Sequence, residues 1–546
     1  MKTILLFSTL ILSTASLAGT EARQLVQTFI NNPNDPALAA WQIKSGTRYV
    51  LQTFALWDQL TKQEQQLYLQ RIMEPPLRQR SMVSPSGKFS LYWDEDGLNA
   101  VPLADPGGNG VPDYIDSAMV IFDRVWQIEI DTLGFQPPPD DNGIPVTTYP
   151  IYFTDMIYYG LTYPSMIDIP SLPGTNYTSY IEIENDFMGF PSEGLAGLKV
   201  TAAHEFNHAM QFGYNVRTED FYFYEMTSTW MEDIVYPTIN DYYQYLNPFF
   251  EIFSNTSFNF YNSYSVFPYA NCLYLKMLAK QYGPQIVTLI WDRIKTENSL
   301  TAIARAISLP PYHTSWLASL NQYAVWLYFT GSRTISDQYF IESADFPELI
   351  IKYGDQISVD STFIRTFSIS DLANRVLLLD SLNNHSILYD IEVRDYPEAG
   401  FLTIRNQQES QLNLVNHLYF EPISAADSLI LILTNAGLQD TSFSVQVYLD
   451  SIPPDSQGLK NITFGPNPVN IAAGQRWIDF RNLPPQSELY IFTINGRSVV
   501  HIGNISDSNL RWNLTNARGE TVATGIYLFR IKGRKFSMSG KIAIIR

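Results

Sequence analysis

The apolar pattern of this chain changes period near residue 340, and that change limits the architecture more than any other feature. Upstream, helix-like patterns run through Tyr269 to Tyr282, Gln285 to Lys295 and Trp316 to Tyr328. Downstream come short apolar runs such as Arg375-Val-Leu-Leu-Leu and Leu429-Ile-Leu-Ile-Leu, which read as strands. The pattern predicts an α+β block followed by all-β domains of sandwich or immunoglobulin-like type. A chain of 546 residues is too long for one core. The expected divisions are a leader at 1–18, an N-terminal helical segment at 19–84, the α+β domain at 85–335, a β-sandwich at 340–452 and a last β-module at 456–546. A Pro/Asp/Ser linker around Ile452 to Ser456 separates the last two. The helical segment reads either as a propeptide or as a packing segment.

Within the α+β block, alternation begins at Ser86 to Trp93, followed by a Gly/Asp loop and a helix from about Asp113 to Leu133. Three prolines at Pro137-Pro138-Pro139 cannot continue a helix. Strands are expected at Pro150 to Thr154 and Ser179 to Glu184, and then a long helix.

The first residues, Met1-Lys2-Thr3, precede an apolar run from Ile4 to Leu12 and the small-residue site Ser16-Leu17-Ala18, which reads as an export leader cut after Ala18. The run is shorter than the roughly 20 residues that span a bilayer, and no later segment looks long and apolar enough. The mature chain is therefore expected to be secreted or at the cell surface, with no transmembrane segment. Cys272 is the single cysteine, so no intramolecular disulfide forms; export without disulfides suggests a bacterial protein. The net charge of −19 argues against nucleic acid or an anionic membrane surface as partner and favours cations.

The long helix contains His204-Glu205-Phe206-Asn207-His208. Four residues make about one helical turn, so both imidazoles leave one face and point toward one ion. The flanks, Gly197 to Ala203 and Ala209 to Phe212, are helix-compatible, and Gly213 can stop the helix. Zinc suits neutral imidazoles, and its catalytic sites commonly hold three protein ligands and a water. Zinc acidifies that water, and a neighbouring Glu205 is placed to act as general base. Where a third histidine occurs in the pattern HExxHxxGxxH, this chain has Gln211 and Tyr214. A glutamate on a second helix is the alternative, and Phe221 to Asp233 contains Glu225, 17 residues after His208, and Glu232 two turns on.

Here the sequence resembles the gluzincin metallopeptidases, in which a glutamate on the following helix completes a His-His-Glu site. The resemblance implies an α+β metallopeptidase catalytic domain, Glu225 as the third zinc ligand with Glu232 or Glu219 as fallback, and Glu232 as a supporting or substrate group. The run Tyr269 to Gly283 resembles the tyrosine-led helix that follows the zinc helices in such enzymes, which implies Tyr269, or else Tyr264, as oxyanion donor. Ser179 to Glu184 resembles the edge strand along which they lay extended substrate. Ser84-Pro-Ser-Gly-Lys-Phe89, Gly108 to Asp116, Tyr159-Gly160-Leu-Thr162, Glu184-Asn-Asp-Phe187 and His204 to Asp233 together resemble a family of bacterial secreted metallopeptidases assigned by motif.

Asp105-Pro-Gly-Gly-Asn109-Gly110-Val111-Pro-Asp113-Tyr-Ile-Asp116 matches much of a twelve-position calcium loop, with Gly at position 6, but has Gly107 at position 3 and Asp at 12. It reads either as a weakened Ca²⁺ site through Asp105, Asn109, Val111, Asp113 and Asp116, or as an Asx/Gly turn before the next helix. At the C-terminus, Phe464-Gly-Pro-Asn-Pro468, the Asn495-Gly496 turn, Trp512 to Gly519 and Gly540 to Arg546 resemble sorting domains of the type IX secretion pathway. That resemblance implies the secretion machinery as partner; an ordinary immunoglobulin-like module is the alternative. The leading expectation is a zinc peptidase acting on protein or peptide, and the alternative is an inactive metal-binding adhesin or binding module.

Overall fold

Five strands and the helices around them determine where His204 and His208 sit. The computed structural model describes residues 21–39, 44–262, 265–358, 363–380, 386–393, 398–405, 408–409, 413–414, 429–450, 462–493, 498–532 and 537–545. The leader at 1–18, the Ile452 to Ser456 linker, the Asn495-Gly496 turn and Tyr264 lie outside these residues. The chain divides into two compact units, Met1–Ile350 with Ser370–Asn374, and Ile351–Ile369 with Arg375–Arg546. Helices dominate the first and β-sheets the second.

The sheet of the first unit comprises β1 (Arg80–Val83), β2 (Phe89–Trp93), β3 (Tyr149–Thr154), β4 (Gly160–Pro164) and β5 (Ser179–Glu184). Its order is β1-β2-β3-β5-β4. β2, β3 and β5 run parallel, with Leu91, Ile151 and Ile181 in register, while β1 and β4 are antiparallel to their neighbours. Ser179 to Glu184 is therefore an interior strand, and the edge belongs to β4. Chain order suggested otherwise because β4 is followed by a strand that folds back between it and β3.

The helices are α1 (21–31), α2 (Pro36–Ala39), α3 (Thr47–Ala55), α4 (Lys62–Met73), α5 (Asp113–Trp126), α6 (Gly194–Gln211) and α7 (Phe221–Val235). Beyond them lie α8 (Leu246–Ile252), α9 (Phe267–Ala270), α10 (Cys272–Tyr282), α11 (Gln285–Ile294), α12 (Ser299–Ser308) and α13 (Trp316–Tyr328). The helical segment expected at 19–84 holds α1 to α4 and ends in the strand β1. Thr61 starts α4 with a reciprocal cap, accepting from the Glu64 amide while Glu64 accepts from its own. α5 buries Tyr114, Ile115, Ala118, Met119, Phe122, Val125 and Trp126, a stripe at helical spacing, and continues into a wider turn at Gln127–Thr132.

α6 is anchored to the sheet through Phe206, which is fully buried with its ring 5.0 Å from Phe89 and 5.7 Å from both Trp126 and Tyr149. Truncating a buried Phe of this kind costs about 3–5 kcal/mol. Phe206 lies two residues from each histidine, so the anchor and the imidazoles face opposite ways. A second core joins α1 and α3 to β4 and β5 through Phe29, Tyr49, Tyr68, Tyr158, Tyr163 and Tyr180.

In the second unit, Thr441–Asp450 pairs antiparallel with Phe363–Ile369 and Ser386–Val393, and Leu429–Asn435 with Ala399–Arg405. The last module has two sheets, one of three strands and one of five, sharing a core of Phe480, Trp512, Phe529 and Ile542. The Phe480 and Phe529 rings approach to 5.0 Å across it.

Candidate metal centre

α6 and α7 run antiparallel, since His204 faces Glu232 and Gln211 faces Tyr224. This brings Glu225 opposite both histidines. Its Oε2 lies 3.3 Å from His204 Nε2 and 3.6 Å from His208 Nε2, and the two Nε2 atoms are 3.2 Å apart. Among the described residues, His204, His208 and Glu225 are the one group of three ligand-type side chains with donor atoms this close, all within 4.8 Å.

The outward nitrogens determine the tautomers. His204 Nδ1 lies 2.7 Å from Glu232 Oε1, and His208 Nδ1 lies 2.8 Å from Gln211 Oε1. The Gln211 amide orientation follows from its own bonds, because Nε2 donates to Asn207 Oδ1 at 2.6 Å and to the Tyr224 carbonyl at 3.1 Å. In their neutral form both rings therefore carry the hydrogen on Nδ1 and present the Nε2 lone pairs. Between them lies a carboxylate neither of whose oxygens has a hydrogen-bond donor. Three electron-rich groups facing one another in a buried space could hold a cation, and two imidazoles with one carboxylate are a set zinc accepts.

Electrostatics show the same demand in the metal-free chain. Burial works against charge on His204, but the Glu225 and Glu232 carboxylates outweigh it and push the ring up to about 9. Burial likewise raises Glu225, yet the neighbouring imidazoles hold it down at about 2. A proton thus takes the place a metal would fill.

Glu205, next to His204 on α6, has its carboxylate against β4. Its Oε2 accepts from Thr162 Oγ1 at 2.7 Å and from Thr47 Oγ1 at 2.8 Å, while Oε1 is buried with no donor. Gly160 permits the approach: a Cβ there would lie 2.8 Å from Glu205 Cγ and 2.7 Å from Thr201 Cγ2. Glu232 joins a buried ion cluster, since Lys44 Nζ donates to its Oε2 at 2.6 Å and to Asp241 Oδ2 at 2.5 Å. Burial opposes the Lys44 charge, and the Asp241 and Glu232 carboxylates overcome it and raise the ammonium. Below the helix, burial pushes the Glu129 carboxyl well above the usual range, with the Asn207 amide acting the other way.

Tyr269 lies on α9 with its ring 6.1 Å from that of His204 and a buried hydroxyl lacking a partner. Burial and then the Glu225 charge keep that hydroxyl protonated. Glu219 is exposed on the turn before α7 and does not join the cluster. In the loop before α5, Asp105 accepts the backbone amides of Asn109 and Gly110 at 3.2 and 2.9 Å, Asn109 Oδ1 accepts the Val111 amide, and Asn109 Nδ2 donates to Asp116. Asp113 opens the helix. The Asn109–Val111 contact is an Asx turn, and Asp105 caps the loop beside it.

Lys44, Thr47, Thr162 and Asp241 were missed by motif reasoning. Thr162 and Gly160 stand in the Tyr159 to Thr162 motif, a signal that could have found them; the other three carry no local pattern.

The family described as "Family of unknown function (DUF6055)" matches residues 61–310. No curated protein matches the sequence. Among solved structures, PorZ, a surface component of the type-IX secretion system of Porphyromonas gingivalis, is similar at 20% identity over 19% of this chain and 14% of its own, with a TM-score of 0.16. Latent PorU of the same organism is similar at 16% identity over 34% of this chain and 18% of its own, with a TM-score of 0.13. The Yersinia pseudotuberculosis-derived mitogen is similar at 14% identity over 18% of this chain and 92% of its own, at 0.14. This chain therefore spans under a fifth of the length of PorZ and PorU. No described helix is long and apolar enough to cross a membrane.

Proposed function

We propose that this chain is a secreted zinc-dependent peptidase, with His204, His208 and Glu225 holding the metal and Glu205 as general base. The supporting observation is the pairing of an unsatisfied buried ligand set with an adjacent glutamate that keeps one oxygen free. A purely structural metal site needs no such neighbour.

Zinc bound there supplies an acidified water and polarises the substrate carbonyl. Glu232 and Gln211 hold the two imidazoles in the tautomer that leaves Nε2 bare. Thr162 of β4 holds Glu205 Oε2, so that Oε1 takes the proton from water and returns it to the leaving amine. The Tyr269 hydroxyl, protonated and without a partner, is the donor for negative charge on the carbonyl oxygen. The leader-like start and the C-terminal motif order support export, with the last module as a transport address.

Metal analysis combined with casein hydrolysis tests the reading on wild type and Glu205→Gln. Both forms are expected to hold zinc, and the variant to lose about 10²–10⁴-fold in hydrolysis. Zinc bound with no hydrolysis in any form of the wild-type chain would leave a binding module instead.

A further inference from the structure

We propose that Lys44–Arg48 act as a built-in inhibitor seated on the free edge of β4, and that the site opens when the N-terminal segment is released. The proposal rests on the peptidase reading for its meaning, but the occlusion it describes can be measured without catalysis.

β4 is the sheet edge beside Glu205, and an edge strand is where an extended peptide adds by backbone pairing. That edge is already taken. The Tyr159 amide donates to the Lys44 carbonyl at 2.9 Å, the Gly46 amide donates to the Gly160 carbonyl at 2.8 Å, and Ser45 bridges Gly160 in parallel. One residue on, the Thr162 amide donates to Thr47 Oγ1 at 2.7 Å, and the same hydroxyl donates to Glu205. A side chain of the segment thus occupies the base itself.

Two cations secure it. Lys44 is locked between Glu232 and Asp241, and Arg48, fully buried, lies over the Tyr269 ring at 5.8 Å and donates to the Asn262 carbonyl. Under this cover His204, Glu205, His208 and Glu225 are each at most 1% exposed. A peptide cannot reach Glu205 along β4 while Lys44–Arg48 remain in place.

Apolar packing holds the segment as well, since Tyr49 and Val50 of α3 share one core with Phe29 and Tyr68 of the segment and with Leu161, Tyr163 and Tyr180 of the sheet. It joins β1 through Glu74–Gln79, which is neither helix nor strand, and Leu77 there is 96% exposed. Pro75 and Pro76 precede it, so the accessible bonds follow Leu77. A cut there leaves the segment held by non-covalent contacts alone.

Two forms of the full chain test the proposal, both loaded with zinc: one with a site-specific protease sequence inserted between Leu77 and Arg78, cut and freed of the segment, and one carrying Gly46→Val. A Cβ at Gly46 would lie 2.8 Å from Tyr158 Cε2 and 3.2 Å from Leu161 Cδ1, so a larger side chain lifts the strand from β4 without touching the catalytic groups. The readouts are the rate of zinc transfer to a chelating dye and casein hydrolysis, beside circular dichroism. Both forms are expected to release zinc more than about tenfold faster than the intact chain, because a buried site exchanges only through local opening. Hydrolysis should rise in parallel. Faster release without hydrolysis would uphold the occlusion and refute the peptidase. Hydrolysis by the intact chain that neither change increases would refute the occlusion and uphold the peptidase. Unchanged zinc release in both folded forms would overturn the proposal.

Discussion

Gly160→Ala puts the geometry of Glu205 to a quantitative test. The added methyl would lie 2.7 Å from Thr201 Cγ2 and 2.8 Å from Glu205 Cγ. Carbon contacts are comfortable from about 3.5 Å, so each neighbour must yield by roughly 0.7–0.8 Å. Gly160 is not in the left-handed region, so the substitution adds no backbone strain and its effect is purely spatial. Both neighbours are buried on α6, where overpacking costs about 1–3 kcal/mol. The larger consequence falls on the base, because a misplacement near 1 Å lowers a rate by about 10²-fold. Urea unfolding measures the first effect, and casein hydrolysis by the segment-free form, with zinc analysis, measures the second. The expected outcome is a folded variant that keeps its zinc and loses hydrolysis. Unchanged hydrolysis in the folded variant would refute the role of the β4 contact, and loss of zinc together with hydrolysis would move the disturbance to the ligands.

Other outcomes follow from the same structure. Glu232→Gln removes the anionic acceptor from His204 Nδ1 and should weaken zinc binding by about 10–100-fold in a chelator competition. Burial pushes Glu184 up to about 7 from 4.5, while the Asp186 and Phe187 amides act the other way. A raised carboxyl means that the folded chain binds the extra proton between these values. Its contribution therefore falls as pH rises from 4.5 to 7. Thermal melts of wild type against Glu184→Gln should show the difference narrowing on acidification, and a difference independent of pH would contradict the assignment. Cys272 is buried, and burial raises its thiol well above the ordinary value. A thiol reagent should find it unreactive in the native chain and label it once on unfolding.

The placement of His204 and His208 on one side of a helix was legible in the sequence because it depends only on the four-residue repeat. Phe206 on the opposite side anchors the helix by the same local rule. The change of period near residue 340 marked the passage from helices to sheets for a related reason, since alternation reports which face of a strand is covered. Glu225 was found by chain order and resemblance, and its distance to the two imidazoles became visible only with α7 in place.

Tertiary structure decided the rest. Which strand of the sheet is free could not be read from β4 and β5, because both are short and largely buried, and the order depends on β5 inserting beside β3. Lys44 lies 188 residues from Glu232 and Thr47 lies 158 from Glu205. Residues 44–48 carry no periodicity that betrays their destination. Local spacing determines which way a side chain faces on its own element, whereas what it meets there depends on loop closure and packing across the whole unit.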